Sequence, residues 1–234
     1  RSLRPRRELV EDDAAWARTP WLVYALTVLV LLASVEDWFR PSPPVALPGT
    51  HLPATDRAFR PTEWTRDGGA TWITSFFPMS VPHRRGVGGL FFAILGLYTA
   101  GIAIERLRGR LALAALLLAG NVAACLTYLL AAPSSDIPLR GATSGLTAAV
   151  TWLALARPHA RLALSTDDTV PRISARAFGI LWVLGVAIVA FLFQGSPWPP
   201  HALLPIPLVG AVVGVAAWSL GLWRDRGSAP ETVG

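Results

Sequence analysis

The stretch Gly141-Ala142-Thr143-Ser144-Gly145 opens an apolar segment that continues as Leu-Thr-Ala-Ala-Val-Thr-Trp-Leu-Ala-Leu-Ala to residue 156, with no charged side chain. An uncharged run of this length is typical of a helix in apolar surroundings. The serine near its start has two interpretations. It is either a buried nucleophile or a small polar residue at which a neighbouring helix packs closely.

Five other stretches share this apolar character. The chain is 53% hydrophobic and only 15% charged, with a mean hydropathy of +0.45, which is more apolar surface than a soluble domain of 234 residues hides in one core. Each stretch is near the roughly 20 residues that cross a bilayer as a helix. The sequence predicts an all-α membrane protein with six transmembrane helices, at 21–35, 86–104, 111–132, 141–156, 178–193 and 202–222.

The arginines predict the orientation of these helices. The chain has no lysine, and with a cytoplasmic N-terminus 14 of its 21 arginines fall on the cytoplasmic side and 7 on the other. The excess of positive charge belongs inside. We therefore expect a cytoplasmic segment at 1–20, a membrane domain at 21–223 with a long outer loop at 36–85, an inner loop at 157–177 and a cytoplasmic tail at 224–234. An Ala-, Arg-, Gly- and Pro-rich chain without lysine is typical of a GC-rich bacterial genome, so the inner membrane is the expected location.

Composition also bears on partners and cofactors. The basic residues lie at helix ends and form no single patch, so nucleic acid is not an expected partner, whereas membrane lipid is. The chain has one cysteine, Cys125, and four histidines, which predicts no metal site and no cofactor.

Ionisable residues are absent from the six spans, which disfavours a transporter. Glu105, at the inner end of the second span, is expected to pair with Arg106 or Arg108.

The outer loop carries a cluster of aromatic residues close to the second span: Trp64, Trp72, Phe76 and Phe77. Two interpretations remain open for this cluster. It is an anchor at headgroup level, or a partly embedded loop that guards a site.

In order, three local motifs resemble the rhomboid intramembrane serine proteases. The second span ends Gly101-Ile102-Ala103-Ile104-Glu105-Arg106, the fourth begins with Gly141-Ala142-Thr143-Ser144-Gly145, and the sixth contains Gly210-Ala211-Val212-Val213-Gly214. The resemblance covers about residues 64–223. It implies a six-helix rhomboid-like bundle, with Ser144 at the position of the nucleophile and a glycine pair that lets the sixth helix approach the serine helix.

Other positions depart from that family. Pro207 stands where the resemblance expects the catalytic histidine, and Gly89 and Ala93 stand where it expects side-chain donors to the oxyanion. Ala142 and Ala148 replace a glycine and a tyrosine of the serine motif. A serine hydroxyl without a base is a poor nucleophile at neutral pH.

We therefore expect a rhomboid-like protein without proteolytic activity that binds transmembrane client or partner helices. One alternative is an active intramembrane serine protease in which Ser144 is the nucleophile and His201 is an atypical base. A second is a structural subunit of a larger membrane complex. In the inactive interpretation Gly141 and Gly145 form a flat helix surface that faces Gly210 and Gly214.

Overall fold

The computed structural model describes residues 19–39, 59–76, 86–135, 139, 142–162, 173–192 and 205–221. Within these ranges the chain is mostly helical, as the apolar segments predict. The helices are α1 (Trp21–Phe39), a short α2 (Thr71–Thr74), α3 (Gly86–Gly96), α4 (Ile102–Arg108), α5 (Arg110–Ala131), α6 (Thr143–Ala156), α7 (Ala175–Leu192) and α8 (Pro205–Ser219).

Two helical stretches are long and apolar enough to cross a membrane. They are Leu90–Arg108, with a mean hydropathy of 1.6, and Arg110–Ala131, with a mean hydropathy of 2.0. Four shorter apolar helices cover Trp21–Val35, Thr143–Ala156, Ala175–Ile188 and Leu208–Ser219. Every apolar segment of the sequence thus contains a helix, and two reach the length of a full span.

Helix α6 is the most enclosed element. Its sequence carries no charged side chain, and a helix without a charged face is stable only when neighbours surround it. Helices α8, α5 and α7 all pack against it, α8 most extensively. The result is a central helix whose large side chains, Trp152 and Leu146 among them, are almost fully buried.

Helices α3 and α4 form one continuous helical run, joined by a π turn at Leu97–Gly101. The run ends at Gly109, which has a φ of 87°, and α5 begins at the next residue. A positive φ favours glycine because it has no Cβ to clash with the backbone. This one-residue connection places the last turn of α4 beside the first turn of α5.

The predicted inner loop contains ordered structure. Residues Arg161–Leu162 (β1) pair antiparallel with Ile173–Ser174 (β2). The hydroxyl of Ser174 accepts a hydrogen bond of 3.2 Å from the Ala177 amide, which satisfies an unpaired donor in the first turn of α7. Helix α7 therefore begins at Ala175, three residues before the predicted start of the apolar segment.

Candidate functional site

Ser144 lies in the first turn of α6 and is 4% exposed. Its hydroxyl donates a hydrogen bond of 2.8 Å to the backbone carbonyl of Ile206, in the first turn of α8. A buried hydroxyl needs such a partner because leaving it unpaired costs free energy. The bond connects the two helices that share the most extensive contact of the bundle.

Within the described residues, that carbonyl is the only hydrogen-bond partner of the Ser144 hydroxyl. A nucleophilic serine gives its proton to a base within about 3 Å, and a backbone carbonyl does not accept a proton at neutral pH. A serine hydroxyl has one proton to donate, so a base could accept it only in place of the Ile206 oxygen. The hydroxyl is therefore held as a donor between two helices.

The other positions named for catalysis contribute no base or donor. Pro207 lies in the first turn of α8, where a residue without an amide hydrogen is tolerated. Ala93 is 2% exposed in the core, and Gly89 lies in α3. His159 is exposed just beyond the end of α6, roughly 20 Å from Ser144 at 1.5 Å per helical residue. His201 lies outside the described residues.

The glycines of α8 approach the backbone of α6. A methyl group on Gly210 would collide with the carbonyl oxygen of Ser144, and one on Gly214 would come within 2.6 Å of the carbonyl oxygen of Ala148. Successive turns of α8 thus meet successive turns of α6, so the two helices run in the same direction. Their close approach requires glycine at both positions.

Gly145 faces a different helix from the one expected. A methyl group at Gly145 would lie 2.5 Å from the carbonyl oxygen of Leu117 in α5, and one at Gly120 would lie 2.8 Å from the Cα of Gly145. The predicted pairing of Gly145 with the α8 glycines is therefore wrong. One turn covers the full circumference of a helix, so Ser144 and Gly145 face different neighbours. Gly141 lies outside the described residues.

A second polar contact connects α6 to α7. The Trp182 indole donates a hydrogen bond of 3.0 Å to the hydroxyl of Thr147, which itself donates to the Thr143 carbonyl at 2.7 Å. Trp182 also packs edge-on against Phe92, with ring centroids 5.8 Å apart. A methyl group on Gly96 would come within 2.7 Å of this indole, so the π-turn region, α6 and α7 meet at one aromatic side chain.

Residues 59–76 are attached to α5 by a buried polar cluster that the sequence does not reveal. The side-chain amide of Asn121 donates to the Trp72 carbonyl at 2.6 Å and to the Ser75 hydroxyl at 3.3 Å. The thiol of Cys125 lies 3.7 Å from the same hydroxyl. Asn121 was recognisable as a polar residue within a span, but its partners lie 46 and 49 residues away.

The aromatic residues of the loop occupy different environments. Phe76 is 5% exposed, whereas Trp64 is 49% exposed. Trp72 is half-buried, donates to the Trp64 carbonyl at 2.9 Å, and packs edge-on against Phe59 at 5.0 Å. Phe59 in turn pairs with Leu139, just before the serine helix. Phe77 lies outside the described residues.

Glu105 has a role that charge pairing within its own helix does not predict. Its carboxylate accepts hydrogen bonds from the amides of Leu22, at 2.9 Å, and Val23, at 2.8 Å. These amides belong to the first turn of α1, where helix donors lack partners. The carboxylate also forms an ion pair with Arg110 at 3.3 Å. Glu105 therefore caps α1 from a neighbouring helix.

The described residues contain no cluster of His, Cys, Asp or Glu that could hold a metal ion. Comparison of the chain with protein-family models, curated proteins and solved structures finds no match.

Proposed function

We propose that this chain is a rhomboid-like integral membrane protein without protease activity, which binds transmembrane client or partner helices. Its location is the bacterial inner membrane, with six spans and both termini in the cytoplasm. The rhomboid relationship rests on the order of the three sequence motifs.

The observation that carries the loss of catalysis is the hydrogen bond from Ser144 to the Ile206 carbonyl. It holds the hydroxyl as a donor at 2.8 Å, in a buried position, with Pro207 next along α8. For Ser144 to act as a nucleophile, α8 would have to withdraw this carbonyl and present a base. Even then, donors to the developing oxyanion would be missing from positions 89 and 93, and losing one such donor costs roughly a hundredfold to a thousandfold in rate.

Two long apolar helices and four shorter ones support the membrane location. The pairs of small residues at the contacts of α6 with α5 and α8 support it as well, because helices in lipid associate through close backbone packing.

Exposed apolar side chains support the binding of other helices. Ile180, Leu184 and Ile188 form a stripe along one face of α7 and are each 53–55% exposed. A stripe at this spacing is an uninterrupted helix face. In a bilayer it meets either lipid or the apolar face of another helix.

Labelling by a fluorophosphonate in membranes tests the proposal. We expect no labelling of the native chain, of Ser144→Ala or of His201→Ala. A known serine hydrolase in the same membranes serves as the positive control for the probe. Labelling of the native chain that disappears in both variants would establish an active Ser144/His201 dyad and refute the pseudoprotease assignment.

A structural subunit of a larger complex is the second candidate, and Trp64 favours it. This indole is half-exposed on a loop that is fixed to α5, as in a docking surface. Affinity purification in mild detergent distinguishes the two. A client binder yields several substoichiometric membrane proteins, whereas a subunit yields one constant set at fixed ratio, and that set is lost in Trp64→Ala.

A further inference from the structure

Tyr98 places a hydroxyl in the middle of one of the two longest apolar stretches. It is 43% exposed and lies beside Thr99, the midpoint of the 19-residue stretch Leu90–Arg108. The hydroxyls of Thr27, Thr99 and Thr147 each donate to a carbonyl of their own helix, as short side chains can. A tyrosine hydroxyl is too far from its own backbone to do so. That of Tyr98 has no hydrogen-bond partner within the part of the chain that the structure describes.

The depth of this hydroxyl decides what it can bind. The hydrocarbon core of a bilayer is about 30 Å thick, so its midplane lies about 15 Å from either surface. Tyrosine is enriched at those surfaces, where its hydroxyl meets water or headgroups, but a side chain that begins at the midplane does not reach them. An unpaired hydroxyl in apolar surroundings costs free energy. A partner on another membrane helix is therefore expected.

The side chains around Tyr98 form an uncharged face of α3. Phe91, Ile94, Leu95 and Tyr98 follow the spacing of one helix face. Phe91 is 62% exposed, and Ile94 and Leu95 are partly exposed. Tyr98 also belongs to the π turn at Leu97–Gly101, and π turns inside helices are frequent at functional sites. The face therefore combines exposed apolar side chains with one polar group at its centre of depth.

A second copy of the chain supplies the partner that this hydroxyl lacks. A tyrosine hydroxyl both donates and accepts, so Tyr98 of one copy can donate to Tyr98 of the other. A two-fold axis along the membrane normal brings the same residue of both copies together at the same depth. An unrelated helix would have to carry a polar side chain at that depth. Because the face carries no charge, the pairing brings no like charges together.

We propose that two copies of this chain associate through this face of α3, with the two Tyr98 hydroxyls hydrogen-bonded to each other near the membrane midplane. Hydrogen bonds of this kind are one source of helix association in lipid. The inference rests on the membrane location proposed above and is independent of the rhomboid relationship. It identifies α3 of a second copy as one partner helix of the bundle.

The dimerisation equilibrium of the full-length chain in liposomes tests the pairing, read out by single-molecule photobleaching as the chain is diluted in lipid. Tyr98→Phe removes only the hydroxyl and should weaken association by roughly three- to twentyfold, the range typical of hydrogen bonds between membrane helices. Tyr24→Phe is the matched control. Tyr24 is equally exposed, at 43%, but lies in the first turn of α1, close to headgroup level, so this variant should associate as the native chain does.

Photo-crosslinking in membranes locates the contact. A benzoylphenylalanine at position 95 should give a crosslinked homodimer, identified by co-expression of two differently tagged chains. The same group at position 118 should not, because Leu118 is exposed at a similar depth on α5, away from the proposed face.

Several results would overturn the dimer. They are a native chain that stays monomeric, a Tyr98→Phe variant that associates as tightly as Tyr24→Phe, and equal homodimer crosslinking from both positions. Crosslinking of position 95 only to another membrane protein would assign the face to a different partner and equally overturn it. Release of the chain from membranes by alkaline carbonate would instead refute the proposed membrane function.

Discussion

Ser144 and Thr151 lie two turns apart on α6, yet their hydroxyls differ in whether they have a hydrogen-bond partner. The Ser144 hydroxyl donates to Ile206, whereas that of Thr151 is buried without a hydrogen-bond partner in the described part of the chain. Ser144→Ala should therefore lower the free energy of unfolding by about 1 kcal/mol, the typical net value of one hydrogen bond. Thr151→Val, which keeps the shape and removes the unpaired hydroxyl, should be neutral or stabilising.

Unfolding of the two variants in detergent measures both effects. A larger loss in Thr151→Val than in Ser144→Ala would contradict the assignment of the Ser144 hydroxyl as a link between helices.

Gly210 and Gly185 offer a second comparison at the residue scale. A methyl group on Gly210 collides with the Ser144 carbonyl, whereas one on Gly185 meets nothing within 4 Å. Gly210→Ala should destabilise the fold by about 1–3 kcal/mol through overpacking. Gly185→Ala should be neutral or stabilising by up to about 1 kcal/mol, because alanine is the better helix former. Equal unfolding midpoints for the two variants would mean that α6 and α8 are not in close contact at Gly210.

The identities of these residues are readable from the sequence, but their partners are not. Glycines four residues apart predict a close contact with some helix, and Gly145 shows the limit, since it meets Leu117 of α5. Helix α6 carries no charged side chain and has neighbours on several sides, so its sequence pattern does not indicate which residue points to which neighbour. The carbonyl that binds Ser144 and the amides that bind Glu105 belong to the backbone, which a sequence pattern does not distinguish.

At the scale of elements, residues 59–76 receive two hydrogen bonds from one side chain of α5. Asn121 holds the Trp72 carbonyl and the Ser75 hydroxyl. Asn121→Leu replaces the amide by an apolar side chain of similar volume and removes both hydrogen bonds. It should therefore loosen residues 59–76. Losing about 1.4 kcal/mol corresponds to a tenfold change in the population of the open loop. Trypsin should then cut after Arg66 about tenfold faster than in the native chain.

The neighbouring Val122 is exposed on the surface of α5 and provides the control. Val122→Ala should be cut at the native rate. Cleavage after Arg66 at the same rate in all three chains would show that Asn121 does not hold the loop.

The positions of the helices are the most predictable part of the fold, because a long apolar run predicts a helix in apolar surroundings from the local sequence alone. All six apolar segments contain helices. Connections are less predictable: the β1–β2 hairpin consists of two residues on each side, too short for an alternating pattern, and the π turn at Leu97–Gly101 has no compositional signal. The cap at Ser174 explains the early start of α7, although serine before a helix is recognisable only once the helix start is known.

At the scale of the whole molecule, the ends of α6 should face opposite sides of the membrane. Arginines concentrate at the end that carries His159, where Arg157 and Arg176 lie, and Arg106, Arg108 and Arg110 are predicted on the same side. Positive charge of this kind belongs in the cytoplasm. Ser134 lies beyond the opposite end, between α5 and α6, and both Ser134 and His159 are exposed. Single cysteines at these two positions therefore report the orientation of the bundle.

In a Cys125→Ala background, which removes the only native thiol, Ser134→Cys should react with a membrane-impermeant maleimide in intact bacterial cells. His159→Cys should react only after the inner membrane is permeabilised, because the proposed orientation puts this end of α6 and its arginines on the cytoplasmic side. Cys125 is buried, so the background without added cysteines should remain unlabelled. Labelling of His159→Cys in intact cells would invert the orientation, and labelling of both variants there would exclude a spanning α6.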